Sequence, residues 1–378
     1  MKYTIIGAGI GGLTTALAFQ KRGIDYEIFE RATELNEVGA GIWLAPNALQ
    51  VLESLDILDE VQVNGNNIDR ITIGKPNLEP ISDSIQDNIE KTFGYTTVAI
   101  HRARLQKVLF DKIPSNKIQL NKGFHSYQEL QSGKIKVVFD DKSSVETDFL
   151  IGADGINSKV RSQLFPYSRA RYSGQTCWRG IADIQLEDKY KHRGYELWGN
   201  QIRFGISRIS EGKVYWFAVV LAEENSKENG SSVKKDLTAL FSEFHPLINM
   251  LINQTPLDKI IKSDINDLKP LNKWYENNIC LIGDAGHATT PNMGQGGAQA
   301  IEDAFYLSNA IKEVEGNAFE LFQKRRMKKV NAIVKQSWNT GKIAHWKYGR
   351  NARNFIIQNM PNNVIEKKMI KLYELEQF

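Results

Sequence analysis

In the first 30 residues the spacing of the apolar positions changes twice, from that of a strand to that of a helix and back. A short apolar run at residues 3–6 predicts a strand and leads directly into glycines at 7–12. Apolar residues then recur at helical spacing from Leu13 to Phe19 and end at Lys21-Arg22-Gly23, a basic turn followed by the glycine that commonly stops a helix. A second apolar run occupies residues 26–29. The pattern predicts a strand, a helix and a second strand in that order.

The next 120 or so residues alternate between helical and extended patterns. A helix is predicted from residue 48 to 58, where Leu49, Leu52 and Leu55 share one face, and alternating residues between 66 and 97 predict strands. A helix at 101–110 and three further strands follow, the strands at 118–120, 136–139 and 145–151.

From residue 172 to 267 aromatic and aliphatic residues alternate with polar ones, and this alternation predicts a sheet with one covered face. Helices are predicted at 234–244 and 246–253. A strand at 278–282 then returns the chain to its first domain, and helices follow from residue 298 onward and through 319–348.

Composition narrows the class of protein. The chain has 378 residues, enough for two domains, and its net charge of +4 is too small by itself to indicate a nucleic-acid partner. Cys177 and Cys280 are the only cysteines and lie far apart, which predicts no disulfide scaffold and a reducing compartment. The histidines show no metal-ligand spacing, so no metal site is expected. We therefore expect a cytoplasmic monomer or homodimer with no membrane span and no nucleic-acid partner.

The glycine cluster carries the first candidate chemistry. Gly7, Gly9 and Gly12 satisfy G-x-G-x-x-G between a strand and a helix. The first glycine permits a tight turn, the second lets a pyrophosphate approach the backbone, and the third lets helix and strand pack closely. Glu30 follows the last glycine by 18 positions, close to the spacing of an acid that holds the adenosine ribose. A chance glycine-rich turn is the alternative, but it does not explain strand, glycines, helix, strand and acid in order.

Two more glycine turns follow predicted strands. One is Gly152-Ala153-Asp154-Gly155, and the other is Gly283-Asp284, with a glycine-rich loop at 291–297 before the next helix. Three such turns exceed what NAD needs but suit FAD, whose pyrophosphate and ribityl chain require separate anchors. A carboxylate at a strand end, here Asp284, can accept hydrogen bonds from the ribityl hydroxyls.

These segments together resemble one family. GAGIGG with Glu30, GADGINSKVR at 152–161 and GDAGHATTPNMGQGGAQAIEDA at 283–304 match, in order and spacing, the signatures of the FAD-dependent aromatic hydroxylases. These are single-component monooxygenases typified by para-hydroxybenzoate hydroxylase. Within them the chain is most similar to the branch of salicylate hydroxylase, urate hydroxylase and zeaxanthin epoxidase.

The resemblance implies an α/β fold with two domains and a C-terminal helix. A Rossmann-like FAD-binding domain of the GR2 type would comprise residues 1–70, 98–172 and 273–378. An inserted, mostly antiparallel β-sheet domain for the substrate would comprise residues 71–97 and 173–272.

The resemblance also implies which residues contact FAD. The ADP half would be held by Gly7, Gly9, Gly12 and Glu30, with Arg31 nearby. The flavin side and ribityl chain would be contacted by Arg102 and Asp284, respectively. Asp154 belongs to a motif linked with both FAD and NAD(P)H, with structural support of the flavin domain as the alternative. The loop that would lie along the isoalloxazine, with a helix N-terminus facing flavin N1 and O2, includes Pro291, Gly294, Gly296 and Gly297.

The substrate residues implied by the resemblance are Arg203 and Tyr215, which align with an arginine and a tyrosine credited with substrate work in urate hydroxylase. The arginine can pair with an anionic substrate and the tyrosine can orient the attacking group, although cross-strand packing is an alternative for the tyrosine. Asn292 replaces the acid expected for urate and the histidine of salicylate hydroxylases, and agrees with an epoxidase-like PNMGQGG loop.

The implied function is an FAD-dependent monooxygenase that uses NADH or NADPH and O2 to hydroxylate a small aromatic or heteroaromatic substrate through a flavin C4a-hydroperoxide. Urate-like, salicylate-like and larger polyketide or antibiotic substrates are all candidates. The alternatives are a flavin-dependent epoxidase or reductase of a conjugated alkene or isoprenoid, and a non-catalytic flavin-binding sensor.

Overall fold

Short helices and strands alternate along most of the chain. The structure, a computed structural model, describes residues 1–35, 40–227, 230, 232–314 and 316–376. The first elements are β1 (Lys2–Ile6), α1 (Ile10–Lys21), β2 (Asp25–Phe29), β3 (Gly41–Leu44), α2 (Pro46–Ser54), α3 (Leu58–Val63), β4 (Gly65–Ile68), β5 (Arg70–Gly74), β6 (Pro80–Ile85), α4 (Asp87–Phe93), β7 (Thr97–His101) and α5 (Arg102–Phe110). The middle elements are β8 (Ile118–Gln119), β9 (Phe124–Glu129), β10 (Ile135–Phe139), β11 (Ser144–Thr147), β12 (Phe149–Gly152), α6 (Lys159–Leu164), β13 (Ala170–Asp183), β14 (Arg193–Trp198), β15 (Ile202–Ser210), β16 (Lys213–Leu221), α7 (Val233–Leu240), α8 (Pro246–Gln254) and β17 (Ile261–Leu268). The last elements are β18 (Tyr275–Glu276), β19 (Ile279–Leu281), α9 (Asp284–His287), α10 (Gly296–Glu313), α11 (Ala318–Ala344), α12 (Arg350–Gln358) and α13 (Asn362–Tyr373).

A six-stranded sheet in the order β18-β19-β12-β1-β2-β8 brings the glycine turns together. Strands β19, β12, β1 and β2 are parallel neighbours, and most of their residues are buried because helices cover the sheet. The carboxyl ends of adjacent parallel strands meet at one edge of the sheet. Gly7 follows β1, Gly152 ends β12 and Gly283 comes two residues after β19, so the three turns share that edge.

A seven-stranded sheet in the order β17-β13-β16-β15-β14-β5-β6 forms the second layer. It is antiparallel except where β14 pairs with β5. Along β16, Val214 and Trp216 pack in an apolar core with α7 and α8, whereas Tyr215, Phe217 and Val219 line a cavity on the other face. The predicted sheet with one covered face is therefore present, and its second face is a cavity wall.

The predicted α/β fold, with a Rossmann-like domain and a mostly antiparallel sheet, is confirmed. Strands β5 and β6 join the seven-stranded sheet. A third, smaller sheet in the order β3-β7-β4 contacts β15, and a fourth, β11-β10-β9, is antiparallel.

Two local predictions were wrong. The helix predicted at 48–58 is divided into α2 and α3, because Asp56 adopts a left-handed conformation with φ of 60°. The segment 66–97, read as strands, includes helix α4. Ile89 and Phe93 lie four residues apart on this helix and pack in the same apolar cluster, and Gly94 ends it with φ of 88°.

The C-terminal helices complete the cavity. Helix α11 packs along α10, and α13 returns to pack on α2 and α4. Met369, Leu372 and Tyr373 of α13 line the cavity. Within the described ranges, none of the helices combines the length and apolar character needed to cross a membrane.

Candidate active site

One cavity of about 540 Å³ lies between the two large sheets. Its size is typical of sites for small molecules. One end is bounded by the glycine turns of the parallel sheet, and we call it the glycine end. The other is bounded by side chains of β13, β14, β15 and β16, and we call it the sheet end.

The glycine end depends on close approach of backbone segments. A Cβ at Gly12 would lie 2.0 Å from the Gly7 carbonyl oxygen, and one at Gly7 would lie 2.5 Å from the Ala153 carbonyl oxygen. Gly7 also has φ of 106°, which favours glycine. A Cβ at Gly9 would meet no protein atom within 4 Å, and Gly9 lines the cavity. Gly7 and Gly12 therefore shape the turn, whereas Gly9 leaves room for a ligand.

Glu30 fixes the same turn from the end of β2. Its carboxylate oxygens accept hydrogen bonds from the backbone N–H groups of Ala8 at 2.7 Å and Ala32 at 2.9 Å. Each oxygen retains a lone pair that can accept a ribose hydroxyl. Arg31 is exposed and is not among the residues that line the cavity.

Asp154 acts on the backbone of α6. Its carboxylate accepts from the Ser158 hydroxyl at 2.5 Å and from the N–H groups of Lys159 at 2.8 Å and Val160 at 3.2 Å. Burial raises the pKa of Asp154, and these hydrogen bonds oppose the rise. The neighbouring Gly155, with φ of 79°, lines the cavity instead. The contacts of Asp154 are thus those of a helix cap.

Asp284 and Arg102 lie together at the cavity. Asp284 begins α9, and its side chain is open to the cavity. Burial of its surroundings raises the pKa of Asp284, whereas the positive charge of Arg102 lowers it. Arg102 begins α5, and its side chain is exposed at the cavity wall. The pair brings an acceptor of hydroxyl hydrogen bonds next to a cation.

The loop from Pro291 to Gly297 forms one side of the cavity and ends in the N-terminus of α10. Gly294 adopts φ of 63°, and Gly296 and Gly297 line the cavity in the first helical turn. A Cβ at Gly297 would lie 2.7 Å from Ile42 Cδ1. The dipole of an 18-residue helix therefore points its positive end at this wall.

A buried ionic network holds this loop from behind. Arg326 of α11 donates to Asp303 at 2.9 Å and also pairs with Glu302. Asp303 in turn accepts from the Gly283 N–H at 2.8 Å and lies 2.6 Å from His287 Nε2. Burial alone would raise the pKa of Asp303, but the charges of His287 and Arg326 outweigh it and lower that pKa. The network therefore fixes α10 and the third glycine turn relative to each other.

At the sheet end, Arg203 is already paired. Its Nη1 donates to Glu196 at 2.7 Å, and its Nη2 donates to the side-chain oxygens of Asn292 at 2.6 Å and Gln175 at 3.2 Å. Only 1% of Arg203 is exposed. A Cβ at Gly341 of α11 would lie 2.4 Å from the Asn292 amide nitrogen, so this glycine makes room for the asparagine. Glu196 thus neutralises the arginine that the sequence assigned to an anionic substrate.

Arg179 is the cation that sequence reasoning missed. It lines the cavity from β13, where its guanidinium donates to Ser263 at 2.5 Å and its charge acts on the Tyr215 hydroxyl. Among the described residues, no carboxylate lies within ion-pair distance of it. Burial raises the pKa of Tyr215 although Arg179 opposes the rise, so the phenol keeps its proton. The nearby Cys177 thiol also has a pKa raised by burial.

The rest of the sheet end is apolar. Trp43 is held by a hydrogen bond from its Nε1 to Ser207 at 2.9 Å, and its ring occupies space that a Cβ at Gly194 would enter. The other apolar side chains that line this part include Ile71, Ile73, Phe217, Val219, Met369 and Leu372. In the described part of the chain no cluster of three or more His, Cys, Asp or Glu residues suits a metal ion.

Of the predicted site residues, the structure places nine in the cavity wall: Gly9, Arg102, Arg203, Tyr215, Asp284, Pro291, Gly294, Gly296 and Gly297. Gly7, Gly12 and Asp154 act behind the wall, whereas Glu30, at the adjoining turn, and Arg31 lie outside it. A weak sequence signal for Arg179 did exist, because it lies between Trp178 and Gly180-Ile181 in a stretch predicted to belong to the sheet. Glu196 offered no comparable signal.

The arrangement fits FAD. Glycine turns leave room for a pyrophosphate next to Gly9, the separate carboxylates Glu30 and Asp284 can accept from two sugar-like chains, and a helix N-terminus faces the remaining wall. The fold and the site define a flavin-dependent oxidoreductase with a substrate chamber beside the cofactor.

Comparison with known proteins assigns the chain more narrowly: it belongs to the FAD binding domain family, whose model matches residues 1–336. It is 37% identical over 344 residues to the aurachin C monooxygenase/isomerase of Stigmatella aurantiaca, covering 90% of this chain and 89% of that protein. It is 32% identical to the 2-heptyl-3-hydroxy-4(1H)-quinolone synthase of Pseudomonas aeruginosa, covering 96% and 95% of the two chains. The structure of Klebsiella pneumoniae HpxO with FAD and uric acid superposes with a TM-score of 0.92 at 26% identity and covers 99% of this chain and 96% of that one.

The predicted family, FAD as cofactor and the assignment as an FAD-dependent monooxygenase of aromatic or heteroaromatic substrates are thereby confirmed. The relatives are oxygenating enzymes, which favours this assignment over a reductase or a non-catalytic sensor.

Proposed function

We propose that this enzyme hydroxylates a fused, nitrogen-containing aromatic ring that carries an apolar substituent, with 2-alkyl-4(1H)-quinolones as the model substrates and NADH or NADPH and O2 as co-substrates. The observation that carries the proposal is which of the two arginines at the sheet end has a carboxylate partner. Arg203 is neutralised by Glu196 at 2.7 Å, and Arg179 remains without a carboxylate partner within the described residues.

The charge of the chamber favours a ring with a polarisable oxygen that can carry negative charge, because Arg203 is neutralised by Glu196 whereas Arg179 has no carboxylate partner among the described residues. A fully anionic substrate such as a carboxylate needs an available fork of guanidinium donors, and both Nη groups of Arg203 are already engaged. Arg179 can instead donate to one ring oxygen. A cation beside that oxygen favours the form of the ring in which the oxygen carries negative charge, and in that form the adjacent ring carbon is more nucleophilic than in the neutral ring.

Glu196 supplies a complementary acceptor. Its Oε1 accepts from Arg203 and from Trp198 Nε1 at 2.9 Å, whereas Oε2 has no hydrogen-bond partner among the described residues. Since Glu196 lines the cavity, Oε2 can accept the N–H of a heteroaromatic ring. An N–H at one side of a ring and an oxygen at the other match this acceptor and the Arg179 donor.

The apolar walls account for the substituent. Ile71 and Ile73 of β5, with Met369 and Leu372 of α13, add an apolar region to the chamber. Burial of an alkyl chain there contributes about 0.8 kcal/mol per CH₂ group. A relative named for 2-heptyl-3-hydroxy-4(1H)-quinolone supports a substrate of this shape, and Asn292 in place of an acid agrees with a chamber not built for urate.

Bound FAD would supply the oxygen-transfer chemistry once reduced by a nicotinamide. The cofactor would be held by Gly9, Glu30, Arg102, Asp284 and the first turn of α10. The protein's own contribution is to orient the ring between Arg179 and Glu196. Trp43, Phe217 and α13 exclude water from the chamber.

The experiment is to incubate the purified flavoprotein with 2-heptyl-4(1H)-quinolone, a nicotinamide and O2. We expect a change in flavin absorption on binding, substrate-stimulated nicotinamide oxidation and a product heavier by one oxygen atom, with the atom derived from ¹⁸O2. Urate and salicylate serve as comparison substrates. Faster coupled hydroxylation of either one, or no oxygenated product from a series of 2-alkylquinolones, contradicts the proposal while leaving the flavoprotein assignment intact.

A further inference from the structure

The C-terminal part of the chain has a charge distribution unlike the rest. Residues 321–378 contain 13 basic and 3 acidic residues, whereas residues 1–320 contain 35 basic and 41 acidic residues. No acid occurs between residues 321 and 365. Several of these basic side chains, such as Arg326, pair with buried acids, whereas some of the basic side chains from residue 342 onward are exposed.

Exposed apolar side chains concentrate at the same place. The exposed fractions are 81% for Tyr348, 66% for Phe355, 63% for Ile356, 44% for Trp346 and 38% for Ile343. They lie at the end of α11, in the connection to α12 and on α12 itself. Large apolar residues grouped on a surface indicate a binding surface, whereas single ones do not.

These side chains lie within 14 residues of one another along the chain, and α12 is fixed on the end of α11. Arg353, which is 3% exposed, donates to the carbonyl oxygens of Ile343 at 3.2 Å and Ala344 at 2.8 Å. Phe355 therefore lies on the outward face of α12, roughly opposite Arg353 around the helix. We call Ile343, Trp346, Tyr348, Phe355 and Ile356 the C-terminal patch. The exposed cations around it are Lys342, Lys347 and Arg350.

We propose that the C-terminal patch binds the surface of an anionic lipid bilayer, as a peripheral contact that does not cross the bilayer. Tryptophan and tyrosine favour the level of the lipid headgroups, and basic side chains beside apolar ones are typical of helices that lie in that interface. The acid-free sequence around the patch complements the negative charge of such a surface.

The patch is adjacent to the substrate chamber. The Arg353 guanidinium lies 4.9 Å from the centre of the Trp198 ring, and Trp198 donates to Glu196, which lines the cavity. Helix α13, which follows α12, contributes Met369, Leu372 and Tyr373 to the cavity wall. Contact with a bilayer would thus place the chamber near a reservoir of apolar substrate. The lipid contact itself does not depend on which substrate is turned over.

The test is co-sedimentation of the flavin-loaded full chain with vesicles. We expect binding to vesicles of phosphatidylcholine with phosphatidylglycerol, weak binding to phosphatidylcholine alone, and release by salt. A variant with Lys342→Glu, Lys347→Glu and Arg350→Glu should bind at least roughly a hundredfold more weakly, because each basic residue near an anionic surface contributes about fivefold and each added carboxylate is also repelled. Phe355→Ser with Ile356→Ser should also weaken binding, at unchanged charge.

The matched charge control is Lys134→Glu with Lys142→Glu and Lys269→Glu, three exposed residues outside the patch, and the apolar control is Tyr167→Ser. Both controls should bind vesicles as the unaltered protein does, and flavin content should be the same in all variants. Equal binding of patch and control variants, or no binding to anionic vesicles, overturns the proposal. So does a dimer in solution that the Phe355→Ser and Ile356→Ser changes dissociate, because a second copy would then cover the patch. Because the readout is lipid binding, failure to hydroxylate quinolones does not affect its outcome.

Discussion

The two ends of the cavity are built by different means. At the glycine end the shape of the site depends on backbone segments that lie very close together, since a Cβ added at Gly12 would lie 2.0 Å from the Gly7 carbonyl oxygen. At the sheet end it depends on contacts between side chains, such as the 2.7 Å hydrogen bond between Arg203 and Glu196. Backbone contacts tolerate almost no replacement, whereas a side-chain set can be exchanged on the same strands. Cofactor binding can therefore be shared across a family while substrate choice differs within it.

The largest effect is expected at Gly12. Gly12→Ala would force a methyl group into the Gly7 carbonyl oxygen, so we expect a markedly lower melting temperature and almost no bound flavin. Gly9→Ala is the matched variant, because its Cβ would meet no protein atom and its φ of −72° suits alanine. It should fold normally and bind FAD on the order of 10- to 100-fold more weakly. Absorbance of purified protein and thermal unfolding measure both, and normal flavin content in Gly12→Ala would contradict the backbone account.

At the sheet end, Arg179→Gln should preserve flavin content and melting temperature but reduce kcat/KM for the true substrate on the order of 100-fold, because a half-buried charged donor in the cavity wall is lost. Arg179→Lys retains the charge and should recover part of the activity. Steady-state kinetics with product analysis provides the measurement. Equal activity of the Gln and Lys variants would show that the charge of Arg179 does not act on the substrate.

Glu196→Gln should leave Arg203 without its neutralising carboxylate. We expect a loss of roughly 1–3 kcal/mol of stability. We also expect the ratio of affinities for anionic and neutral aromatic ligands, read from the flavin spectrum, to rise about tenfold. Glu211→Gln, at an exposed position of the same sheet domain, is the control. An unchanged preference between neutral and anionic ligands would argue against charge neutralisation as the basis of selection.

The smallest expected effect at neutral pH is that of His345, which contributes a pH dependence only under acidic conditions. Burial, and next the charge of Arg203, lower the pKa of His345 to about 4, below its ordinary value of 6.5. The unfolded chain therefore binds more protons between these values, and stability should fall as pH decreases from 6.5 toward 4, by on the order of 3 kcal/mol. His345→Gln should flatten this part of the profile in chemical denaturation, whereas His125→Gln, an exposed change, should not. An identical slope in both variants would exclude His345 as the source.

The sequence predicts the glycine end far better than the sheet end. Gly7, Gly12 and Gly283 are recognisable because backbone sterics allow little else at those turns, and Asp284 follows from its place at a strand end. Along β16 the alternation separates Tyr215 from Trp216, but both faces carry apolar residues, so the pattern cannot tell the core face from the cavity face. The contributions of Glu196 and of α13 depend on contacts between distant parts of the chain, which no local pattern contains.

The meeting of β1, β12 and β19 at one sheet edge also bears on biosynthesis. Because β19 ends only at Leu281, a ribosome must release the chain beyond that residue before the third turn can dock beside the first two. A nascent chain that lacks this strand has no complete cofactor pocket, however well its N-terminal segment has folded. Flavin capture must therefore be a late event in the maturation of this enzyme.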